Sequence, residues 1–288
     1  DHFMWSDGLA DHFTGLYRAS YLLNYMLGFL AVVIGVSKLC FNPTSLALAV
    51  TEIIILTAIL TNSCIAASCS WHRRYLDYRL IAESLRQIRF HTHVSVMTPE
   101  TTENEHVPHH PASESWFNWL LRAIQRETPI PSYVVNGESV AKFQKWIKRS
   151  HFDDQMEYHK AVHETAHKIE RNLKNLSTGF FLLSLIMVTL NTVLHIDAIT
   201  ALPIILAAAA TTTSAIRAHS QFETVSKRSL EMASYLRHMS RSCEQLAVAN
   251  KPFASSALFK LITNASNRMR IESTGWISAF SDKSVEIP

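Results

Sequence analysis

The chain has 288 residues, of which 48% are apolar and 18% are charged, and its formal net charge is +3. This length suffices for one or two domains, and so small a net charge gives no indication of a nucleic-acid partner. Seven glycines leave little material for a glycine-rich phosphate loop, and four cysteines without a CxxC pair do not indicate a disulfide framework.

Four apolar stretches predict helices that cross a membrane. A helix needs roughly 17–25 residues to span the bilayer core. The stretches 21–39, 46–69 and 179–194 are close to that length, and a fourth, 201–215, is shorter and rich in alanine and threonine. The prediction is an all-α membrane protein with four transmembrane helices arranged as two hairpins. The fourth stretch would also suit a buried helix of a soluble protein.

The remaining segments predict long helical extensions of these spans. We expect the second and fourth spans each to continue as one long helix, because apolar residues recur at helical spacing after both. Prolines, acids and a lack of periodicity predict a mobile loop at about 92–113. The predicted segments are a lead-in helix at 1–20, the first hairpin at 21–69, a helical region at 70–175, the second hairpin at 176–216 and C-terminal helices at 217–288.

Basic residues indicate which membrane ends face the cytoplasm. Five arginines follow the second span, three basic residues precede the third, and three follow the fourth, whereas the two hairpin links hold one lysine between them. Both termini and the middle segment are therefore predicted to be cytoplasmic. Amphipathic helices that leave the membrane on one side need partners, so we also expect a homo-oligomer.

One acid, Glu52, lies inside the second apolar stretch, about two turns from its far end. An ionised carboxylate at a helix centre costs roughly 2.5–3.5 kcal/mol on insertion scales, and less toward the interface. By depth, its expected neighbours are Lys38, Asn191 and His195. Two interpretations stand side by side. Glu52 either lines a cation path as a ring of acids in the oligomer, or it is protonated or paired and holds helices together.

Other polar residues lie inside the predicted spans. Asn24 is near the cytoplasmic end of the first span, and Thr211, Thr212 and Thr213 lie at a comparable depth in the fourth. Threonines in membrane helices most often bond to their own backbone or support close packing. A packing role is therefore favoured over a pore-lining role.

The sequence "HETAH" at 163–167 matches the HExxH pattern of zinc proteases. In that pattern two histidines one turn apart bind zinc and the glutamate activates water. His159 extends the pair His163 and His167 along one helix face, but no third ligand is evident, so no metal is assigned. Proteolysis through Glu164 is a minor alternative. A pH response or weak metal binding by the three histidines is favoured over it, since histidine titrates near neutral pH.

Several stretches resemble the membrane part of bacterial proteins whose N-terminal half is a SLOG-type nucleotide-sensing domain: "ADHFTGLYRASYLLNYMLGFLAVVIGV", "WHRRYLDYRLIAESLRQIRF", "SWFNWLLRAIQRE", "QMEYHKAV" and "GWISAF" with the final "VEIP". Such proteins are related to the two-transmembrane SLATT effector modules of prokaryotic immunity. The resemblance implies an effector in the bacterial plasma membrane that forms a pore in antiviral defence. It also implies a sensor domain upstream of Asp1 that binds a nucleotide-type ligand.

The expected function is that of a non-enzymatic membrane effector, a candidate pore or channel controlled by a cytosolic ligand. The alternative, from a different class, is a passive oligomeric anchor for a cytosolic sensor or enzyme. The expected partners are the lipid bilayer, further copies of the chain and a nucleotide-type ligand. No nucleic acid and no cofactor are predicted.

Overall fold

The computed structural model describes residues 2–41, 44–97, 116–128, 136–194, 200–249 and 254–281. Helices account for nearly all of these residues and no strand occurs in these ranges, so the predicted all-α class is confirmed. The elements are α1 (His2–Phe41), α2 (Leu46–Ser68), α3 (Trp71–Met97), α4 (Trp116–Glu127), α5 (Gly137–Ile147), a π-helical segment (Lys148–Asp153), α6 (Asp154–Leu194), α7 (Ala201–Ser220), α8 (Phe222–Ala249) and α9 (Ala254–Ser281).

Four helices, α1, α2, α6 and α7, are long and apolar enough to cross a membrane. They contain the four stretches that the sequence predicts as spans, except for Cys69 at the end of the second stretch. In the most apolar 18-residue stretch of each helix, only 6% to 22% of the residues are buried within the chain. Most residues of these four stretches are therefore not buried by the chain itself.

The second and fourth spans are each followed directly by a further helix, as predicted, but one left-handed residue interrupts each continuation. Ser70, between α2 and α3, has φ 50°, and Gln221, between α7 and α8, has φ 51°. A left-handed residue ends an α-helix, and at a non-glycine position it costs of order 1–3 kcal/mol. The usual signal for such an ending is glycine, which is absent from both positions. By contrast, α1 and α6 run without interruption through 40 and 41 residues.

The predicted loop at about 92–113 begins later than expected, because α3 continues to Met97. Residues 92–97 are helical, and the rest of that predicted loop lies outside the described residues.

The chain forms two compact units. The described residues of unit 1 fall within Asp1–Phe13, Arg73–Lys160 and Ser229–Lys283, and those of unit 2 fall within Thr14–His72 and Ala161–Arg228. Four helices, α1, α3, α6 and α8, contribute residues to both units.

The core of unit 1 gathers apolar side chains from α3, α5, the π-helical segment, α8 and α9. Its buried members are Phe90, Phe143, Ile147, Phe152, Met232, Leu236, Cys243, Leu258, Ile262, Ala265 and Met269. Burial raises the pKa of the Cys243 thiol to about 11. At neutral pH this cysteine therefore packs as a small apolar residue.

The π-helical segment brings together two charged side chains five residues apart. Lys148 Nζ lies 2.8 Å from Asp153 Oδ2, a spacing that suits a helix whose turns close from residue i to i+5. Ser240 Oγ of α8 donates to Asp153 Oδ1 at 2.6 Å. The segment thus joins α8 through a polar contact beside the apolar core of unit 1.

Candidate functional site

Glu52, the acid inside the second apolar stretch, lies on α2 against Gly35 of α1, within unit 2. Its Oε1 is 3.6 Å from the position that a Cβ on residue 35 would take. The side chain of Glu52 is half-buried, and so are Lys38 and Asn191. In the described part of the chain Glu52 makes no ion pair with Lys38 and no hydrogen bond with Asn191. His195, the third expected neighbour, lies outside the described residues.

A network of amides and hydroxyls joins α1 to α2. Asn62 Nδ2 donates to Asn24 Oδ1 at 2.7 Å and to the carbonyl O and Oγ of Ser20, both at 3.0 Å. Asn24 Nδ2 donates to Ser63 Oγ at 2.9 Å. Model peptides assign about 1–2 kcal/mol to a polar contact between membrane helices, and double-mutant cycles average about 0.6 kcal/mol. Asn24 therefore fixes the packing of the first hairpin.

Sequence reasoning missed Asn62, Ser63 and Ser20 as the partners of Asn24. The available signal was the Asn62–Ser63 pair, which lies in the C-terminal half of α2, whereas Asn24 lies near the start of the apolar stretch of α1. Antiparallel neighbours that share a depth can meet, and an amide inside a span seeks such a partner.

The threonines of α7 bond within their own helix. Thr211 Oγ1 donates to the carbonyl of Ala207 at 2.9 Å, and Thr213 Oγ1 donates to that of Ala209 at 2.8 Å. Thr212 is half-buried between them. These are the local bonds typical of threonine in membrane helices.

Tyrosines of α1 contact the residues that flank both helix breaks of unit 2. Tyr17 OH lies 2.9 Å from His219 Nε2, and Tyr21 OH lies 3.0 Å from Ser220 Oγ, next to the left-handed Gln221. The ring of His72, two residues after Ser70, lies 4.5 Å from that of Tyr17. Tyrosine favours the membrane–water boundary because its ring is apolar and its hydroxyl is polar. The cluster lies at the ends of the apolar stretches of α1 and α7.

The HExxH-like histidines are engaged in helix packing. His163 Nδ1 lies 2.9 Å from the carbonyl oxygen of Ser226 and 3.0 Å from its Oγ. The rings of His163 and His167 stack at 5.8 Å, and Glu164 is exposed. Over the described ranges, no three His, Cys, Asp or Glu side chains are placed to hold a metal ion. The motif thus lacks a third ligand there.

His159 belongs to a different environment, within unit 1. Its Nδ1 is buried and has no hydrogen-bond partner among the described residues. Burial, followed by the positive charges of Arg79 and Arg86, lowers the pKa of His159 to about 4. The folded chain therefore holds this imidazole in its neutral form at physiological pH.

The low pKa of His159 predicts an acid sensitivity of unit 1. The unfolded chain binds a proton at His159 near pH 6.5, whereas the folded chain does so only near pH 4. Between these values the folded state binds fewer protons, so stability that is present above pH 6.5 is lost as the pH falls toward 4. The loss is roughly 1.4 kcal/mol per pH unit at most. We expect His159→Gln to remove this component of acid unfolding of the full chain in nanodiscs.

The matched control for this prediction is His167→Gln, which changes an exposed histidine on the same helix. The control should retain the pH dependence of the unaltered chain between pH 4 and pH 6.5. An identical acid-unfolding profile for His159→Gln and the unaltered chain would contradict the prediction.

These features define an all-α chain with four helices able to cross a membrane by length and composition, and with polar contacts inside and beside them. Comparison of the chain with protein-family models, with curated proteins and with solved structures finds no match.

Proposed function

We propose that the chain is a membrane effector, a candidate pore or channel of the bacterial plasma membrane, controlled by a cytosolic ligand. The observation that carries the proposal is Glu52, a carboxylate in α2 without a cation or a hydrogen-bond donor in the described part of the chain. An acid at membrane depth needs a partner or water, and such residues usually face a bundle interior or a water-filled cavity. A path lined by Glu52 from several copies would supply that water.

The low burial of the apolar helices supports a homo-oligomer. Only 6% of the most apolar stretch of the third span is buried within one chain. In the proposed assembly, spans of neighbouring copies cover part of this surface and enclose the path. A ring of Glu52 carboxylates would then favour cations. The distribution of basic residues supports an orientation with both termini in the cytoplasm.

The helices shared by the two units offer a means of control. Because α1 and α6 are unbroken and contribute to both units, a displacement of their unit 1 residues would be transmitted to their apolar residues. The left-handed residue Ser70 separates α2 from α3, and Gln221 separates α7 from α8. These two positions are suited to act as hinges. A ligand shifts this equilibrium only if it binds the conducting state more tightly than the closed state.

The proposed signal is a nucleotide-type ligand sensed by a domain upstream of Asp1. This part of the proposal rests on the resemblance to SLOG-linked membrane proteins and to SLATT effectors. It assigns the chain a role in antiviral defence, in which opening of the pore harms the infected cell.

The test is the flux of ions from liposomes that hold the full-length protein, with and without cell extract that carries candidate nucleotides. We expect Glu52→Gln to lower cation flux by roughly tenfold or more at low ionic strength, within the range that focused charge produces. Assembly should be unchanged, because the substitution preserves the size of the side chain. Glu138→Gln is the matched control, since Glu138 is an exposed residue of α5.

Two outcomes would contradict the proposal. Unchanged conductance and selectivity in Glu52→Gln would remove this acid from the path. A bilayer that stays tight under every condition would favour the passive anchor, for which unrelated dimerising helices in place of the spans should leave function intact.

A further inference from the structure

Two arginines of α3 contact polar side chains of α6 within unit 1. Arg79 Nη2 donates to Tyr158 OH at 2.9 Å, and Arg86 Nη1 donates to Gln155 Oε1 at 2.8 Å. Arg79 and Arg86 are two turns apart, so they lie on one face of α3. Gln155 and Tyr158 are neighbours on one face of α6 for the same reason.

The positive and negative charges at this contact between α3 and α6 do not balance. Glu83, between the two arginines, lies 3.3 Å from Arg86 Nη1 and also accepts a hydrogen bond from Gln87 at 3.0 Å. Arg79 has no ion pair within the described ranges, and its hydrogen-bond partner there is a neutral phenol. A guanidinium has five N–H donors, so most of those of Arg79 are available. Two cations thus share one carboxylate.

The buried imidazole of His159, on α6, adds an unsatisfied polar atom to the same contact between α3 and α6. His159 follows Tyr158 and lies one turn after Gln155 on α6, and its buried Nδ1 has no partner among the described residues. Both arginines act on its ring electrostatically. A buried polar atom without a partner is costly and calls for a specific explanation.

We propose that Arg79, Arg86 and His159 form a binding site for a phosphate-type oxyanion. Such a group supplies what the contact between α3 and α6 lacks, namely negative charge and several hydrogen-bond acceptors. Arginine is the residue best matched to it, because the planar guanidinium binds phosphate oxygens through two parallel hydrogen bonds. The aromatic ring of Phe3 lies 5.4 Å from the guanidinium of Arg86 and restricts the orientation of that guanidinium.

Binding of the oxyanion has a definite consequence for His159. The anion offsets the positive charges of Arg79 and Arg86, and the imidazole takes up a proton from solvent to donate to the bound group. In the described part of the chain, the charged groups that act on this ring are Arg79 and Arg86 of α3, and the ring of Tyr158 of α6 lies 5.3 Å from it. Binding should therefore raise the pKa of His159.

A purely structural role for these residues makes a different prediction. If Arg79 and Arg86 only join α3 to α6, truncating either one loosens unit 1, but no phosphate-dependent change of His159 occurs in the unaltered chain. The titration of His159 as a function of phosphate concentration therefore separates the two roles. This readout is independent of ion flux, so the inference stands or fails apart from the proposed effector function.

The experiment uses the full chain with ¹³C-labelled histidine in nanodiscs of neutral lipid, with inorganic phosphate as the probe at constant ionic strength. The His159 signal is assigned with His159→Gln. We expect phosphate to shift the titration midpoint of His159 upward by at least one pH unit and to raise Tm. Arg79→Met should abolish both effects, and Arg79→Lys should retain part of them, because lysine keeps the charge and loses the fork.

Arg89→Met is the matched control, since Arg89 is an exposed arginine of α3 whose guanidinium lies 5.2 Å from the ring of Trp146. It should leave both phosphate effects intact.

A second arm of the experiment replaces free phosphate with nanodiscs containing phosphatidic acid, whose headgroup is a phosphate monoester. A response to phosphate assigns the site to soluble ligands, and a response to phosphatidic acid alone assigns it to a lipid headgroup. Absence of both responses, or their equal loss in Arg79→Met and Arg89→Met, would overturn the proposal.

Discussion

Phe152→Ala is expected to destabilise unit 1 by about 3–5 kcal/mol, the range typical of a large aromatic side chain removed from a core. Phe152 is 0% exposed and lies in the π-helical segment between α5 and α6. It is packed in the cluster that contains Leu236 of α8 and Ile262 of α9. Because this side chain joins distant parts of the chain, its loss leaves a cavity that a local shift of α5 cannot fill.

Hydrogen exchange of the full chain in nanodiscs measures this effect on each helix separately. Because 1.4 kcal/mol corresponds to a factor of ten, we expect amides of α8 in unit 1 to exchange roughly a hundredfold faster or more. Trp119→Ala is the matched control, since Trp119 also belongs to unit 1 and is 74% exposed. Equal changes in exchange in the two variants would show that burial of Phe152 does not govern the stability of unit 1.

This core also marks where prediction from the sequence ends. Apolar runs identify α1, α2, α6 and α7, because a stretch able to span a membrane can be recognised from its local composition alone. The partners of Phe152 are spread over α3, α8 and α9, and no local period encodes which faces meet. The sequence did not predict the π-helical segment either, because a π-helix differs from an α-helix in its hydrogen-bond spacing and not in its residue composition.

The candidate site was predicted in part, for a similar reason. Glu52 was recognisable as an isolated charge in an apolar stretch, whereas its neighbour Gly35 depends on how α1 and α2 pack. Depth along a span suggested Lys38 as a partner, but depth does not specify the face of a helix. The breaks at Ser70 and Gln221 escaped prediction because the left-handed residue is not glycine at either place.

Loss of the cation at Arg217 is expected to destabilise the pairing of α6 with α7 by about 1–3 kcal/mol. Arg217 Nε of α7 donates to Glu170 Oε1 of α6, and the side chain of Glu170 is only 12% exposed. Removing one partner of a fully buried ion pair costs about 3–5 kcal/mol, because the remaining charge is left uncompensated. Here the value is reduced, since the Arg217 side chain is 33% exposed and solvent screens the charge.

A charge swap tests this interaction. Arg217→Met should accelerate hydrogen exchange in the second hairpin, and the double variant Glu170→Arg with Arg217→Glu should recover part of the loss, because it restores an ion pair with reversed polarity. The matched control is Lys227→Met, which breaks the exposed pair of Lys227 with Glu223. An exposed pair one helical turn apart contributes little, so this variant should leave exchange in α6 and α7 unchanged. A double variant no more stable than Arg217→Met alone would mean that Arg217 acts through packing of its aliphatic stem and not through its charge.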